Sequence, residues 1–486
     1  MATTRTALLG SVPTDLLVGG AWRPASGGAR FDVQDPATGD VLASCADATP
    51  EDGLAALAAA HEAQPAWAAT APRERSDVLR AAFEAVTART EDLALLMTLE
   101  MGKSLEESAG EVAYGAEFLR WFSEEAVRVR GEYGVAPEGT TRVLTMRQPV
   151  GPTLMVTPWN FPLAMGTRKI GPAVAAGCTM VLKPAAETPL TMLLLGRILE
   201  DAGLPPGVLN VVTTTDAAGV CEPIVRDPRL RKLTFTGSTA VGKVLVAQSA
   251  EQLLRVSMEL GGNAPFLVLE DADVDDAVDG AMQAKMRNIG EACTSANRFL
   301  VHASLAEEFT EKLAARMAAL TVGAGTDEGV DVGPLITAEA REGVHALVTD
   351  AVERGARVVT GGEVPSGRGH FYPPTVLADV PAGSRCLSEE IFGPVAPVTT
   401  VADDDEALAR ANDTEYGLVA YVYARDEGRV RRVAEGLEFG MVGVNTGIVS
   451  NPAAPFGGVK HSGFGREGGA EGIEEYLEVK YVGLAT

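Results

Sequence analysis

The chain predicts an α/β fold built on two parallel sheets covered by helices. From Pro152 to about Phe235, short apolar runs alternate with helical periodicity, and a second region with the same rhythm runs from Pro265 to about Asn445. At 486 residues the chain is also too long for one ordinary core. Alternating strands and helices imply right-handed crossovers, and sheets of this kind bind ligands beyond the carboxyl ends of their strands.

The N-terminal third reads as helical. Thr49-Pro50-Glu51-Asp52 is a start signal, with a hydroxyl cap, proline at the first helical position and acids facing the dipole. Leu54, Leu57, Ala58 and His61 follow at helical spacing. Further helical periodicities run from Val78 to Val86, from Leu93 to Leu99, and from Val112 to Val127 with Phe118, Trp121 and Phe122. Beyond Pro152, Thr153 to Val156 reads as a buried strand, Ile170 to Ala176 as helix, and Cys178 to Leu182 as strand. Pro189 to Ala202 then reads as helix, and Val208 to Val212 and Leu233 to Phe235 as strands. The second region opens on Pro265 to Leu269. Two segments stand apart: Arg142 to Arg147 and Tyr476 to Val482 alternate like half-exposed strands, which pair with each other or with another subunit.

Apolar content of 46% and charged content of 22% indicate a soluble globular protein. The net charge of −25 argues against nucleic acid as a partner, because phosphate binding needs a basic surface. Cys45, Cys178, Cys221, Cys293 and Cys386 are odd in number and lack a CxxC pair, which fits a reducing compartment rather than a disulfide framework. The five histidines show no metal-ligand spacing, so no metal is expected. Met1 to Val18 does not read as a signal peptide, and no run approaches the roughly 20 apolar residues that span a bilayer. A cytoplasmic protein without a membrane partner is the expectation.

The chemistry centres on Cys293, in Asn288-Ile289-Gly290-Glu291-Ala292-Cys293. An arbitrary buried cysteine is packing. Here Gly290, Ala292, Thr294 and Ser295 leave access, and Asn288 and Asn297 supply polar context. Pro158-Trp159-Asn160-Phe161-Pro162 and Met258-Glu259-Leu260-Gly261-Gly262-Asn263 add an amide able to hold an oxyanion and a carboxylate able to act as base. Those are the parts needed to oxidise an aldehyde through a thioester.

These segments occur in order with Glu100-Met101-Gly102-Lys103, Phe235-Thr236-Gly237-Ser238-Thr239-Ala240-Val241-Gly242, Glu389-Glu390-Ile391-Phe392-Gly393-Pro394 and Pro455-Phe456-Gly457-Gly458. Over essentially its whole length the chain resembles the aldehyde dehydrogenase superfamily. The resemblance implies an aldehyde dehydrogenase-like fold of two α/β domains with parallel sheets and a small β oligomerisation arm. A Rossmann-like dinucleotide-binding domain would take 1–130 and 149–257, and a catalytic domain 258–445. The arm and C-terminal segment would take 131–148 and 446–486, in a homodimer or homotetramer. Cys293 would attack the aldehyde as a thiolate, and the Asn160 amide with the Cys293 N–H would hold the oxyanion. Glu259 would draw a proton from the hydrolytic water. Lys169 and Glu467 match positions that relay that proton in relatives, although a structural ion pair accounts for them equally well.

The same resemblance assigns the cofactor set. Gly237, Ser238 and Gly242 match a dinucleotide turn that places phosphate at a helix N-terminus. Thr157, Pro158, Trp159 and Leu260 belong with it, Glu390 matches the residue on the nicotinamide ribose, and Phe392 the ring near the nicotinamide. NAD-preferring relatives carry an acid three residues after Lys183. Here Ala186 leaves room for a 2′-phosphate and Lys183 supplies a cation, so NADP is favoured over NAD, with Glu187 the residue that would reverse this by swinging in.

Arg168, Arg287 and Ser450 match positions by which the succinate-semialdehyde branch of the family grips a distal carboxylate. Paired guanidinium groups would select an aldehyde with an acid at its far end. Succinate semialdehyde is therefore the expected substrate, with glutarate semialdehyde next, since one methylene discriminates by only about 1–3 kcal/mol. A broad-range aldehyde dehydrogenase comes third, and 4-aminobutyrate degradation is the pathway implied. An inactive nucleotide-binding relative and a coenzyme A acyl-transferring enzyme are the other readings; Cys293, Glu259 and Asn160 together count against the first, and Glu259 as hydrolytic base against the second. Two departures stand out. Glu291 replaces a frequent glutamine and is expected to face away from the thiol or form a salt bridge, since an inward carboxylate would raise the thiol pKa. Ser295 stands where some relatives carry a second cysteine, so no disulfide switch is expected.

Overall fold

Two large sheets organise the computed structural model, which describes residues 2–485. The first runs, edge to edge, Gly463–Phe464, Arg255–Glu259, Lys232–Thr236, Thr153–Val156, Met180–Lys183, Leu209–Val211, Leu16–Val18 and Ala21–Arg23. Its five central strands are parallel. Thr153–Val156, Met180–Lys183 and Lys232–Thr236 are buried at every position, as a sheet covered on both faces requires. The second sheet runs Arg357–Thr360, Thr375–Ala378, Val395–Val401, Ala296–His302, Ala264–Val268, Val419–Tyr423 and Met441–Val444. It is parallel except at the Arg357–Thr360 edge.

The helix Pro50–Ala69 starts where the sequence predicts, with Thr49 as cap and Asp52 closing a reciprocal capping box. Helices Pro72–Ala88, Thr90–Met101 and Leu105–Glu125 account for the next three periodicities. The helical reading holds at Ala2–Ser11 but fails between that helix and Thr49. Leu16–Val18 and Ala21–Arg23 form a hairpin through Gly19 and Gly20, at φ 63° and 80°, a turn only residues tolerant of positive φ accept readily. It pairs antiparallel with Leu209–Val211 and extends the first sheet. A second hairpin joins Arg30–Gln34 to Val41–Ala46. These strands are three to six residues long, too short for alternation to be read.

The two alternating segments find each other. Leu477–Ala485 pairs antiparallel with Thr141–Pro149 from Leu477 opposite Pro149 to Ala485 opposite Thr141, and Tyr133–Val135 adds a third strand. Tyr133, Val135, Val479 and Tyr481 remain exposed on this small sheet. Among the described residues no helix is long and apolar enough to cross a membrane, and no His, Cys, Asp and Glu cluster able to hold a metal ion is found.

Candidate active site

Three neighbouring strands of the first sheet deliver their carboxyl ends to one cleft. Thr153–Val156 leads into Pro158, Trp159 and Asn160, Lys232–Thr236 into Gly237 and Ser238, and Arg255–Glu259 ends on Glu259 itself. The second sheet contributes from the amino ends of its strands, with Cys293 just before Ala296–His302 and Glu390 and Phe392 just before Val395–Val401. Cys293, Asn160, Glu259, Pro158, Trp159, Gly237, Ser238, Leu260, Glu390 and Phe392 thus line the same cleft, with Met165, Thr236 and Gly261, which the sequence reading did not single out.

The approach to Cys293 is a left-handed turn. Asn288, Ile289 and Gly290 have φ of 56°, 62° and 78° in succession. Left-handed backbone costs an L-residue roughly 1–2 kcal/mol, so a run of it must be held from outside. A side chain at Gly290 would strike the carbonyl of Gly393. The Asn288 side-chain amide donates to the carbonyls of Asn160 at 2.9 Å and Glu291 at 2.8 Å, and a Glu107 carboxylate oxygen accepts from the Asn288 N–H. The Asn160 amide donates to the Glu291 carbonyl at 3.0 Å, tying the two halves of the site together. The Glu291 carboxyl turns to accept from the Ile336 N–H at 3.1 Å, so of the two expected outcomes it faces away, and among the described residues no salt bridge is found for it. Burial raises that carboxyl well above its usual range.

Cys293 is half-buried, whereas the other four cysteines are buried. Burial pushes its thiol up to about 12, helped by Glu390 and Glu259 and opposed by Arg168 and Arg287. Glu259 is held well above the carboxylate range by burial and by Glu467, against Arg168, Lys169 and Arg466. One of its oxygens has no hydrogen-bond partner. Burial would raise Glu467 too, but Lys169 Nζ at 2.5 Å and Arg168 Nη2 at 2.7 Å outweigh it and keep this carboxylate charged. Lys169 also donates to Thr234 Oγ1 at 3.0 Å. The two carboxyls are thereby pushed apart, Glu259 upward and Glu467 downward.

Arg168 lies outside the cleft lining. Its guanidinium sits 4.0 Å from the Phe456 ring centroid and faces Glu467, while Nε and Nη2 are buried without an aligned hydrogen-bond acceptor. Arg287 is brought together with Ser450, whose Oγ accepts from Nη1 at 3.3 Å, and lies over the rings of Phe161 and Tyr114. The Tyr114 hydroxyl is buried without a partner. Phe161 and Phe456 stand inside motifs read in the sequence, whereas an isolated tyrosine on an apolar helix face carries no signal beyond packing.

The residues fit a dinucleotide. Ser238 caps the helix Thr239–Ser249 by accepting from Val241 N–H at 3.4 Å, which aims free N–H groups at the cleft. A side chain at Gly242 would run into Leu260, so the helix packs close to the turn. The Thr236 hydroxyl in the cleft is buried and unpartnered, and Glu390 Oε1 accepts from Gly262 N–H at 3.1 Å, with burial raising its carboxyl to about 7. Phe392 meets Trp159 edge-on at 5.3 Å. Thr157 is buried, its N–H bonded to the Lys183 carbonyl at 3.1 Å. Lys183 is buried, and Ala186 and the exposed Glu187 line a neighbouring groove rather than the catalytic cleft.

A model of the aldehyde dehydrogenase family matches residues 22–482. A succinate-semialdehyde dehydrogenase of Paenarthrobacter nicotinovorans is 63% identical over 92% of this chain and 99% of its own. A glutarate-semialdehyde dehydrogenase of Pseudomonas aeruginosa is 49% identical over 96% of each. The crystal structure of an E. coli NADP dependent enzyme superposes with a TM-score of 0.97 at 48% identity, covering 99% of both chains.

Proposed function

This chain belongs to the aldehyde dehydrogenase family and is an oxidoreductase, and we propose that it oxidises succinate semialdehyde to succinate with NADP. The observation that carries the proposal is the single cleft in which Cys293, Asn160 and Glu259 meet Gly237, Ser238, Glu390 and Phe392. The Ser238 helix end, Glu390 and Phe392 would hold a nicotinamide dinucleotide, which when bound would supply the hydride acceptor.

Cys293 Sγ attacks the aldehyde carbon, and the Asn160 amide with the Cys293 N–H receives the developing oxyanion. Arg168 and Arg287 are the cations that oppose the burial of the thiolate. The acyl group then rests on sulfur as a thioester. Glu259, once ionised, takes a proton from the water that hydrolyses it, and Lys169 and Glu467 pass that proton on. Arg287 with Ser450, and Arg168 behind them, steer the distal carboxylate of the substrate.

NADP is supported over NAD by the absence of an acid at Ala186, by Glu187 pointing to solvent, and by the E. coli neighbour's description. The exposed apolar side chains of the three-stranded arm support a homodimer or homotetramer. Steady-state kinetics with succinate semialdehyde, glutarate semialdehyde and butanal, each with NADP and NAD, tests the reading. Equal kcat/KM for butanal and the acid-bearing aldehydes would overturn it. Preference for glutarate semialdehyde, the named substrate of the P. aeruginosa relative, would favour the alternative.

A further inference from the structure

The helix Leu105–Glu125 turns two acids toward the site, one helical turn apart. Glu107 accepts from the Asn288 N–H, the first amide of the left-handed turn before Cys293. Glu111 accepts from the Leu163 and Ala164 N–H groups at 2.8 and 3.0 Å, where the segment after Asn160 enters the helix Ala164–Ala176. Its other oxygen binds Lys103 Nζ at 2.5 Å, and that ammonium donates to the Asn160 carbonyl at 2.8 Å. The same carbonyl takes the Asn288 side-chain amide. One rigid helix therefore holds the nucleophile turn through Glu107 and the oxyanion segment through Glu111 and Lys103.

From this geometry we propose that Glu107 is a positioning residue for catalysis, which fixes the left-handed Asn288–Gly290 turn and so sets Cys293 at its working distance from the Asn160 amide. The proposal rests on the reading of Cys293 as nucleophile, not on the identity of the aldehyde. The turn has φ values that the backbone resists, and Glu107 is the side chain that binds its first amide. Its other oxygen is buried without a partner, a cost that a purely surface acid does not bear. What the turn needs is a hydrogen-bond acceptor at that reach, rather than a negative charge.

Glu107→Ala, Glu107→Gln and Glu107→Asp in the full chain separate these elements. Displacement of a reacting group by even an ångström slows catalysis by up to about 100-fold, so Glu107→Ala is expected to lose kcat by about 10- to 100-fold while KM changes by a smaller factor. Glu107→Gln, which keeps the acceptor, is expected to stay within about threefold of the parent, and Glu107→Asp, which keeps charge but retracts the acceptor, to fall about tenfold. Should the alanine variant not fold, the Gln and Asp pair alone decides. Alkylation of Cys293 by iodoacetamide, followed by mass spectrometry, should change in Ala and Asp but not in Gln. That readout needs no aldehyde, so a wrong substrate leaves it intact. Full kcat in Glu107→Asp, a loss in Gln equal to that in Ala, or alkylation unchanged across all three would overturn the proposal.

Discussion

Arg168 Nη2 lies 2.7 Å from Glu467 Oε2 while Lys169 Nζ holds the other oxygen of the same carboxylate at 2.5 Å, all three side chains being almost fully buried. The ion at Glu467 is the largest electrostatic influence raising Glu259. Glu467→Gln removes it, so the Glu259 pKa falls. Because Glu259 must be ionised to act as base, the acid limb of the kcat–pH profile moves to lower pH. The plateau separates two roles: a fall of about 100-fold marks Glu467 as a proton relay, and an unchanged plateau marks a structural ion pair. Leaving two buried cations with no anion should also cost about 3–5 kcal/mol of stability in denaturant titration. A limb moving to higher pH would contradict the electrostatic assignment.

Arg287 is the cleaner probe of substrate choice, because Arg168 is also committed to Glu467. Arg287→Ala should raise KM for succinate semialdehyde by about tenfold or more, the worth of a charge-assisted hydrogen bond, and leave KM for butanal within about threefold, while the lost support of the thiolate lowers kcat for both aldehydes alike. Arg168→Ala should lower kcat for both aldehydes, since it also unbalances Glu467. Initial rates with the two aldehydes decide this, and a KM raised equally for both in Arg287→Ala would remove it from the substrate site.

The groups proposed for the chemistry were legible in the sequence because each occupies a short contiguous motif, and the structure brings Cys293, Glu259 and Asn160 to one cleft with Gly237, Glu390 and Phe392. The supports were harder to see, since they come from residues far apart in sequence. Glu111 falls in phase with Gly115, Phe118 and Phe122 on the buried face of its helix, and an acid on an apolar stripe was the available signal. Glu107 and Tyr114 offered less, because their partners are a backbone amide and an arginine from more than 150 residues away. The hairpins before Thr49 escaped because strands this short carry no period, whereas the long alternating arms at 141–149 and 477–485 did.

Burial raises the Cys293 thiol to about 12, so little thiolate exists at neutral pH without cofactor. The rate of iodoacetamide alkylation at this residue should climb about tenfold per pH unit with no plateau near neutrality, since only the thiolate reacts. Arg287→Ala should slow it further, as it removes a cation that favours the anion. A plateau below about pH 8, the behaviour of an exposed and activated thiol, would be incompatible with this environment.

Cofactor choice is expected to turn on position 186. Ala186→Glu places a carboxylate where it would repel a 2′-phosphate and bond free ribose hydroxyls. The NADP to NAD ratio of kcat/KM should fall by about 100-fold, read from initial rates with each dinucleotide at fixed aldehyde. A ratio unchanged within about threefold would place the specificity elsewhere.

Glu291 sits two residues before Cys293, yet its carboxyl binds the Ile336 N–H at 3.1 Å, and burial raises it well above the carboxylate range. The carboxyl turned away is not among the largest influences on Cys293, which are burial, Arg168, Glu390, Glu259 and Arg287. Glu291→Gln keeps an acceptor for the Ile336 amide. The Cys293 alkylation profile should therefore stay within about half a pH unit of the parent, and stability should change by less than about 1 kcal/mol. Glu291→Ala, by contrast, strands the Ile336 N–H in the interior and should cost about 1–3 kcal/mol. A thiol pKa that dropped by more than about one unit in Glu291→Gln would mean that the carboxyl is ionised and faces the sulfur, opposite to the geometry described.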